Sequence, residues 1–314
     1  MTPLLIRRLA RTLLTLFVAS VVVFLLMSVL PGSPASVILG TQATPHALAA
    51  LNVRLGFDRP LITQYLSWIG GLISFHLGNS YITNSALAPQ ISHALAVTGP
   101  LIALSLLIAV TLSSPLSFYL ALRRSTLGGT LISSLSQIGL AVPSFALGLL
   151  LIDLFALRVH LLPASGFTPW STSWTEALRS LALPAISLGL IETATLTKYL
   201  TSALTESLDA EYLVYARSRG LSTQQALLHH GWRNALPSLT TVLGLEIGGL
   251  LVGAVVVESV FTLPGIGSLL LNAVQNRDLL LVQDLVMIAV LFVTVVNGVI
   301  DLTAHLLDPR LERR

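Results

Sequence analysis

Carboxylates inside long apolar segments are the residues of this sequence with the clearest chemical potential. Glu192 lies in an apolar segment that also carries several threonines, and Glu246 lies in a glycine-rich one. An ionised carboxylate in the middle of a membrane costs a few kcal/mol, so it normally faces a cavity or a partner group. These two side chains could bind a positively charged part of a solute, or they could pair with a buried basic group. The sequence leaves both interpretations open.

Four further acidic residues lie within apolar segments or near their ends: Asp153, Glu258, Asp284 and Asp301. Charges near the end of a membrane segment cost less than charges at its centre. For Asp153 and Asp301 we therefore favour pairing with a basic group, or a position near the membrane interface, over a role in binding.

The chain lacks the sequence signatures of catalytic and metal sites. Lys198 is the only lysine among 17 basic residues, and no glycine precedes it, so the chain cannot form the GxxxxGK[ST] loop that holds ATP. There is no cysteine, no HExxH motif and no GxSxG motif. His229 and His230 are adjacent, which does not place two ligands on one helix face. We expect no catalytic residue and no metal site in this chain.

The composition is typical of an integral membrane protein. Of the 314 residues, 54% are hydrophobic and 10% are charged, whereas a soluble domain carries roughly 25% charged residues. A membrane-spanning helix needs about 20 mostly apolar residues. Six segments meet this requirement, so we predict an all-α integral membrane protein with six transmembrane helices. They cover approximately residues 9–30, 97–122, 131–157, 181–200, 236–257 and 282–306.

The basic residues indicate how these segments are oriented. Most of the 17 lie in stretches on the same side as the amino terminus, and such stretches are cytoplasmic. The first apolar segment is too long for the core of a signal peptide, so we expect both termini in the cytoplasm.

The sequence predicts that the chain is divided into three parts. They are the first helix with a sizeable extracytoplasmic segment (1–96), a five-helix core with a cytoplasmic loop near 201–235 (97–308), and a cytoplasmic tail (309–314).

The cytoplasmic loop has the pattern of two short helices separated by a sharp break. The residues that fall on one face of the first helix are Leu208, Tyr212, Tyr215, Ala216 and Arg219. Gly220 suits a left-handed stop after that helix. Ser222, with Gln225 three residues later, fits a capping box that starts the second.

The second short helix is predicted over residues 226–233. Pro237 would then lie in the first turn of the fifth span, where its missing N–H costs nothing. Two helices joined in this way could dock as a knob into a groove of another protein. They could also lie on the inner leaflet as amphipathic helices, and the pattern alone favours neither.

The loop also carries a motif of one family of transport proteins. The form Tyr-x-x-x-Ala-Arg-x-x-Gly-Leu is met by Tyr212, Ala216, Arg217, Gly220 and Leu221, and the closing apolar-proline pair by Leu236 and Pro237. Fragments in the order of that family lie elsewhere, among them Leu30-Pro31-Gly32, Leu55-Gly56-Phe57-Asp58, Val142-Pro143-Ser144-Phe145, Pro264-Gly265-Ile266-Gly267 and Asp308-Pro309-Arg310. The sequence resembles the permease subunits of binding-protein-dependent ABC importers, in the dipeptide, oligopeptide and nickel branch (DppB/OppB-like). The signature of the whole importer family is Glu-Ala-Ala-x-x-x-Gly, and its first two positions are Val214 and Tyr215 in this chain. The peptide branch of the family commonly lacks the acidic residue.

The resemblance implies a type I ABC importer permease fold and a role as half of a translocation path. Its implied partners are a second, generally non-identical permease, two ATPase subunits or domains, an extracytoplasmic binding protein and the lipid bilayer, with no nucleic acid. ATP and Mg²⁺ would be bound by the ATPases, and this chain would hold no cofactor. The implied location is the cytoplasmic membrane of a bacterium or archaeon.

The resemblance also implies roles for the loop residues. Ala216 would be small because a partner comes close, and Gly220 would allow the chain to reverse. Arg217 and Arg219 would meet acidic groups of the ATPase, although the positive-inside rule explains them equally well. In span four, Glu192 would line the path with its neighbouring threonines, and Glu246 would join it from span five.

Two other functions compete with this interpretation. A proton-coupled secondary transporter would use Glu192 or Glu246 as a relay, which explains the acidic residues but not the two-helix loop. An intramembrane enzyme would need a nucleophile and a base at membrane depth, and no motif supplies them. The cargo stays open among dipeptides, longer peptides, nickel chelates, glutathione and haem.

Overall fold

The computed structural model describes residues 2–29, 34–40 and 43–307. Apart from an isolated antiparallel bridge between Asn79 and Ala86, these residues form helices and their connections. The motif fragments at 30–33 and 308–310 and the predicted tail at 309–314 fall at least partly outside this range. The prediction of an all-α chain is confirmed for the described part.

Thirteen α-helices run through the described residues. They are α1 (Thr2–Val29), α2 (Pro34–Leu39), α3 (Pro45–Leu55), α4 (Leu61–Ile73), α5 (Leu87–Arg123), α6 (Leu127–Ala141), α7 (Ser144–Leu151), α8 (Trp174–Leu208), α9 (Glu211–Ser218), α10 (Thr223–Ala226), α11 (Trp232–Val260), α12 (Ile266–Gln275) and α13 (Leu279–Leu307). Two π-helical turns, Ile152–Arg158 and Leu227–Gly231, follow α7 and α10 without a break.

Five of the described helical segments are long and apolar enough to cross a membrane. A sixth exists only if α6 and α7 with its π turn count together, and this pair is bent by 106°. The bend lies at Val142–Pro143, where Val142 adopts an extended conformation with ψ 123°. Proline removes an N–H and disfavours the α conformation of the preceding residue. The prediction of one continuous helix over residues 131–157 is therefore wrong.

Three other prolines of the predicted spans lie inside continuous helices. Pro100 and Pro115 lie in α5, and Pro184 lies in α8. Membrane helices tolerate such prolines where neighbouring groups satisfy the freed carbonyls. Ser187 Oγ, for example, donates a hydrogen bond to the carbonyl oxygen of Pro184 at 2.8 Å.

Residues Met1–Val97 and Pro264–Thr294 form one compact unit. Its hydrophobic core consists of Leu87, Ile91, Ala94, Ile266, Ala273, Leu281, Val282 and Leu285. Two buried aspartates are tied to this unit by hydrogen bonds, because Ser80 donates to Asp278 and the Trp68 indole donates to Asp284. Long-range polar links of this kind fix the segment 74–86, which has little regular structure of its own.

Residues Thr98–Leu263 and Val295–Arg314 form the second unit, and the boundaries between the two units fall within α5, within α13 and in the connection between α11 and α12. Helix α8 is the central element of the second unit and packs against α6, α7 and α11. In its most apolar stretch 72% of the residues are buried, compared with 17% to 33% in the other four candidate spans. A helix that is shielded from lipid can carry threonines and a glutamate, which explains why α8 is the most polar of the predicted spans.

Glycines allow close helix packing in this second unit. A side chain at Gly189 would lie 2.9 Å from the carbonyl oxygen of Ser105 in α5, and one at Gly253 would lie 3.1 Å from Leu188. The spacing of four between glycines in α11 permits such contacts, and Gly244 and Gly253 do approach other helices. Gly248 and Gly249 approach no other helix of the described residues within 4 Å.

The variant Gly189→Ala tests the packing of α8 against α5. Its methyl group would push on a backbone carbonyl that cannot move without displacing α5, so we expect a loss of about 1–3 kcal/mol in unfolding free energy. The measurement is the thermal midpoint of the purified protein in detergent. Gly248→Ala is the matched control, because open space surrounds that position, and its midpoint should not fall. Equal midpoints for the two variants would contradict the close packing.

Candidate coupling loop and candidate translocation path

The segment between α8 and α11 folds into a short helical hairpin. Helix α8 ends at Leu208, α9 covers Glu211–Ser218 and α10 begins at Thr223. The predicted break lies at Gly220, whose φ of +94° is in the left-handed region. Leu221 N–H donates to the carbonyl oxygen of Ala216, which closes the end of α9. The prediction of a left-handed stop is confirmed.

The start of α10 is a capping box. Ser222 Oγ accepts a hydrogen bond from the Gln225 N–H at 3.3 Å, and the Gln225 side chain accepts one from the Ser222 N–H at 3.1 Å. Both hydrogen bonds satisfy N–H groups that a helix start leaves unpaired. The capping box predicted from the sequence is therefore confirmed.

The buried face of α9 differs from the face predicted. Leu213 and Ala216 are buried in a cluster with Ala226 and Leu227 of the neighbouring turn. Tyr212, Tyr215 and Arg219, which the sequence analysis assigns to the same face as Ala216, are exposed. Ala216 is therefore small where α9 meets its own chain, and its assignment to a partner surface is wrong. Helix α9 has only 8 residues, little more than two turns, which is too few for its periodicity to fix the buried side.

The opposite face of α9 is exposed and carries both apolar and basic groups. Tyr215 is 64% exposed, and Val214 and Tyr212 are also exposed. The guanidinium of Arg219 lies 5.8 Å from the centre of the Tyr215 ring, within cation–π range. Together with the exposed Arg217, they form a mixed surface, and exposed apolar groups bordered by charge mark a contact site for another molecule.

Helix α10 continues into α11 through the π turn Leu227–Gly231, so that residues Thr223–Val260 form one helical segment of 38 residues. Gly231 leaves room for Leu227 in this turn, because a side chain there would lie 2.5 Å from the Leu227 Cδ1 atom. Pro237 is inside α11 rather than in its first turn. The predictions of a separate helix over 226–233 and of a span that begins near 236 are wrong, since neither proline nor any other residue interrupts the helix.

The two intramembrane glutamates lie in the second unit on packed helices. Glu192 in α8 is 8% exposed, and its Oε2 atom accepts no hydrogen bond from the described residues. Glu246 in α11 is near enough for its charge to act on Glu192. The structure therefore brings these two predicted residues together, without a basic partner among the described residues. Two carboxyl groups in this setting are stabilised either by a proton on one of them or by a positively charged group beside them.

Further along α8, three threonines, Thr197, Thr201 and Thr205, line a cavity of about 730 Å³. The hydroxyl oxygens of Thr197 and Thr201 are buried and have no hydrogen-bond partner among the described residues. Thr193, in contrast, donates to the carbonyl oxygen of Gly189 within its own helix at 2.6 Å. Buried hydroxyls without partners are rare in folded proteins. The wall of this cavity can therefore bind a polar molecule or ordered water.

The remaining acidic residues have other surroundings. Asp153 Oδ2 pairs with Arg158 at 2.7 Å, and both side chains are at least half exposed, so the expected pairing with a basic group is confirmed. Glu258 is fully buried and accepts a hydrogen bond from Thr98 Oγ1 at 2.5 Å. The side chain of Asp301 lies outside the described part of the structure.

Comparison with known proteins matches almost the entire chain to one family. Residues 113–313 match the model for the binding-protein-dependent transport system inner membrane component, and residues 1–102 match the model for the N-terminal part of such membrane components. The chain belongs to this family of ABC importer permeases. The permease is thus a non-catalytic membrane subunit, as the sequence analysis predicts.

Relatives of the permease extend over its full length. It is 34% identical over 311 residues to a putative peptide transport system permease protein of Brucella abortus, with 99% of each chain covered. It is 34% identical to the di/tripeptide transport system permease protein DppB of Pseudomonas aeruginosa, with 98% of each chain covered. The glutathione transport system permease protein GsiC of Escherichia coli is 32% identical, with 98% of this chain and 97% of the relative covered.

Sequence reasoning missed several residues that shape the permease loop and path. Leu213 and Leu227 fix the hairpin from inside, and Gly231 connects it to α11. Thr201 lines the cavity beside α8. The apolar type of Leu213 and Leu227 is compatible with burial, but only the packing of α9 on α10 shows that they meet. Leu236 and Pro237, in contrast, lie half-buried within α11.

The variant Gly220→Val tests the loop as a coupling device. A β-branched residue at a positive φ costs roughly 1–2 kcal/mol or more, and relieving that strain would move α9 relative to α10. We expect loss of transport and weaker association with the ATPase, with normal insertion into the membrane. Co-purification of the ATPase and uptake into vesicles are the measurements.

Gly166→Val is the matched control for the loop variant. Gly166 also has a positive φ, +86°, and open space around it, but it lies outside the loop. This control should lose stability without losing the ATPase. Normal transport by Gly220→Val, or equal loss of the ATPase in both variants, would contradict the role of the loop.

Proposed function

We propose that this permease forms half of the translocation path of an ATP-driven importer for peptides or similar small solutes. The observation that carries the proposal is the match of two successive family models, over residues 1–102 and 113–313, to membrane components of binding-protein-dependent systems. The names of the full-length relatives, which refer to peptides, di/tripeptides and glutathione, support this class of cargo.

The proposed topology has six spans and both termini in the cytoplasm. It counts α6 and α7 with its π turn as one bent span, which brings the total from five to six. With this topology the segment between α1 and α5 is extracytoplasmic, and α9 and α10 face the cytoplasm. The location is the cytoplasmic membrane of a bacterium or archaeon, in which the permease pairs with a second, non-identical permease.

Two ATPase subunits or domains are the proposed partners at the hairpin of α9 and α10. They would bind ATP and Mg²⁺, and an extracytoplasmic binding protein would deliver the cargo. Tyr212, Tyr215 and the two arginines of α9 supply the exposed contact surface, while Leu213 and Ala216 hold α9 in place from the other side. Ala216, Gly220 and Leu221 thus act through the shape of the hairpin rather than through direct contact.

The continuous helix from Thr223 to Val260 provides the mechanical link. A helix interrupted by a loop would absorb a displacement, whereas one uninterrupted helix carries movement at α10 toward Glu246 in α11. The transmitted movement must favour one of two conformations of the permease in order to shift the population between them. Leu236 and Pro237 lie within this helix, which gives the closing pair of the sequence motif a place in the link rather than at the contact surface.

The proposed path follows α8, from Glu192 to the cavity at Thr197 and Thr201. Its polar groups without partners are the ones that a passing solute could satisfy. Peptides carry an ammonium group at one end, and the pair Glu192 and Glu246 would stabilise it. No observation favours the alternative of a proton-coupled transporter.

The first test concerns the source of energy. We expect uptake of the dipeptide Ala-Ala into proteoliposomes, which contain the complete complex and its binding protein, to require ATP and to persist with a protonophore. Uptake that continues without ATP and stops with the protonophore would refute the proposal, because this result would show that a proton gradient drives transport.

The second test concerns the path. Glu192→Gln removes the charge but keeps the size of the side chain, so we expect the uptake rate of Ala-Ala to fall by about tenfold, as charge-assisted hydrogen bonds are worth roughly 1.5–3 kcal/mol. Asp153→Asn is the control, since that carboxylate pairs with Arg158 on the surface, and it should leave uptake unchanged. If both variants transport like the wild type, Glu192 does not line the path.

A further inference from the structure

The first unit contains a cavity that the proposed path does not use. Its volume is about 290 Å³, which equals that of about ten water molecules at roughly 30 Å³ each. It lies within the segment predicted to be extracytoplasmic and the beginning of α13. The side chains that can form hydrogen bonds or ion pairs in its wall include Arg54, Arg59, Trp68, His76, Tyr81 and Asp284.

Asp284 is the residue of this wall that most needs a ligand. It is 1% exposed, and its Oδ1 atom accepts a hydrogen bond of 2.8 Å from the Trp68 indole. Its Oδ2 atom is buried and accepts no hydrogen bond from the described residues. A buried carboxylate oxygen without a donor is costly, and the vast majority of buried polar atoms have a partner. The cavity beside it has room for a molecule that supplies one.

The surroundings of Asp284 favour a positively charged donor. Asp278 is also buried, and Ser80 donates a hydrogen bond to one of its oxygens while the other has no partner. No basic side chain among the described residues forms an ion pair with either aspartate. Burial raises the pKa of the Tyr81 phenol, and the charges of Asp278 and Asp284 raise it further, so Tyr81 stays neutral. Asp284 and Asp278 are therefore two neighbouring buried carboxyl groups, and neither has a counter-charge among the described residues.

The cavity has positive groups elsewhere in its wall. Arg54 at the end of α3 and Arg59 just before α4 both line it and are exposed, and neither forms an ion pair within the described residues. The Arg59 side chain lies over Gly56, 3.5 Å from where a Cβ atom would be. Guanidinium groups match the geometry of a carboxylate, to which they can donate two parallel hydrogen bonds.

We propose that this cavity binds a small solute that carries both an ammonium and a carboxylate group, such as a dipeptide. The ammonium group would donate to Asp284 Oδ2, and the carboxylate would lie at Arg54 and Arg59. The volume of about 290 Å³ admits a solute of about dipeptide size. The inference rests on the proposed function, because the site meets cargo only if this segment lies outside the membrane. It shares no residue with the path along α8.

The test is equilibrium binding of radiolabelled Ala-Ala to the complete permease–ATPase complex in nanodiscs, without the binding protein. We expect Asp284→Asn to weaken binding by about tenfold or more, since asparagine can still accept from Trp68 but carries no charge. Asp153→Asn makes the same chemical change at a surface ion pair and should bind as the wild type does. N-acetyl-Ala-Ala, which lacks the ammonium group, should bind weakly to all three proteins.

A second variant guards against a loss of folding in Asp284→Asn. The double variant Arg54→Gln, Arg59→Gln changes only exposed side chains, so it should fold and should weaken binding of Ala-Ala but not of Ala-Ala amide. Thermal midpoints of all variants are measured in parallel. The inference is overturned if the double variant and a folded Asp284→Asn both bind Ala-Ala as the wild type does. It is also overturned if only a change at Glu192 weakens the binding of Ala-Ala.

Uptake measurements separate this inference from the proposed function. One outcome is that the wild type takes up Ala-Ala with ATP while the Asp284, Arg54 and Arg59 variants bind Ala-Ala as well as the wild type does. This outcome would overturn the cavity site and leave the importer intact. Binding that depends on these residues, in a complex that moves no peptide with ATP, would support the site and overturn the importer.

Discussion

The burial of α8 within the second unit is the constraint on which the transport machinery of this permease depends. A helix surrounded by lipid could not hold Glu192 and several threonines at membrane depth without a large cost. Because α5, α6, α7 and α11 surround it, these polar groups face protein or a cavity instead. Close packing at Gly189 and Gly253 makes this enclosure possible. The proposed path would therefore be a consequence of helix packing.

The hairpin of α9 and α10 depends on the same packing. Leu213, Ala216 and Leu227 belong to one cluster with Leu200 and Leu204 in the carboxyl-terminal part of α8. The hairpin is thus anchored to the helix of the proposed path, and it is continuous with α11, which carries Glu246. A movement imposed on α9 by an ATPase would reach the path by packing and by an unbroken helix. Its exposed face remains available for the partner, since it takes no part in this cluster.

The first unit follows a different principle. Short helices and an irregular segment are held there by buried polar links, of Ser80 with Asp278 and of Trp68 with Asp284, in addition to an apolar core. Buried polar groups with incomplete hydrogen bonding are costly, and they are retained mainly where they serve binding or specificity. Among the described residues, one oxygen of Asp284 accepts no hydrogen bond and Arg54 and Arg59 of the same cavity form no ion pair, which fits such a purpose.

The sequence by itself determined the membrane class, the approximate positions of the spans, the family motif, the left-handed stop at Gly220 and the capping box at Ser222. Each depends on composition or on residues within a few positions of one another. Only the tertiary structure decided the bend at Pro143, the continuity of α10 with α11, the buried face of α9, and the meeting of Glu192 with Glu246 and of Trp68 with Asp284. Hydropathy cannot reveal these features, because a proline is compatible with either a bend or a continuous helix, and because contacts between distant segments depend on how whole helices pack.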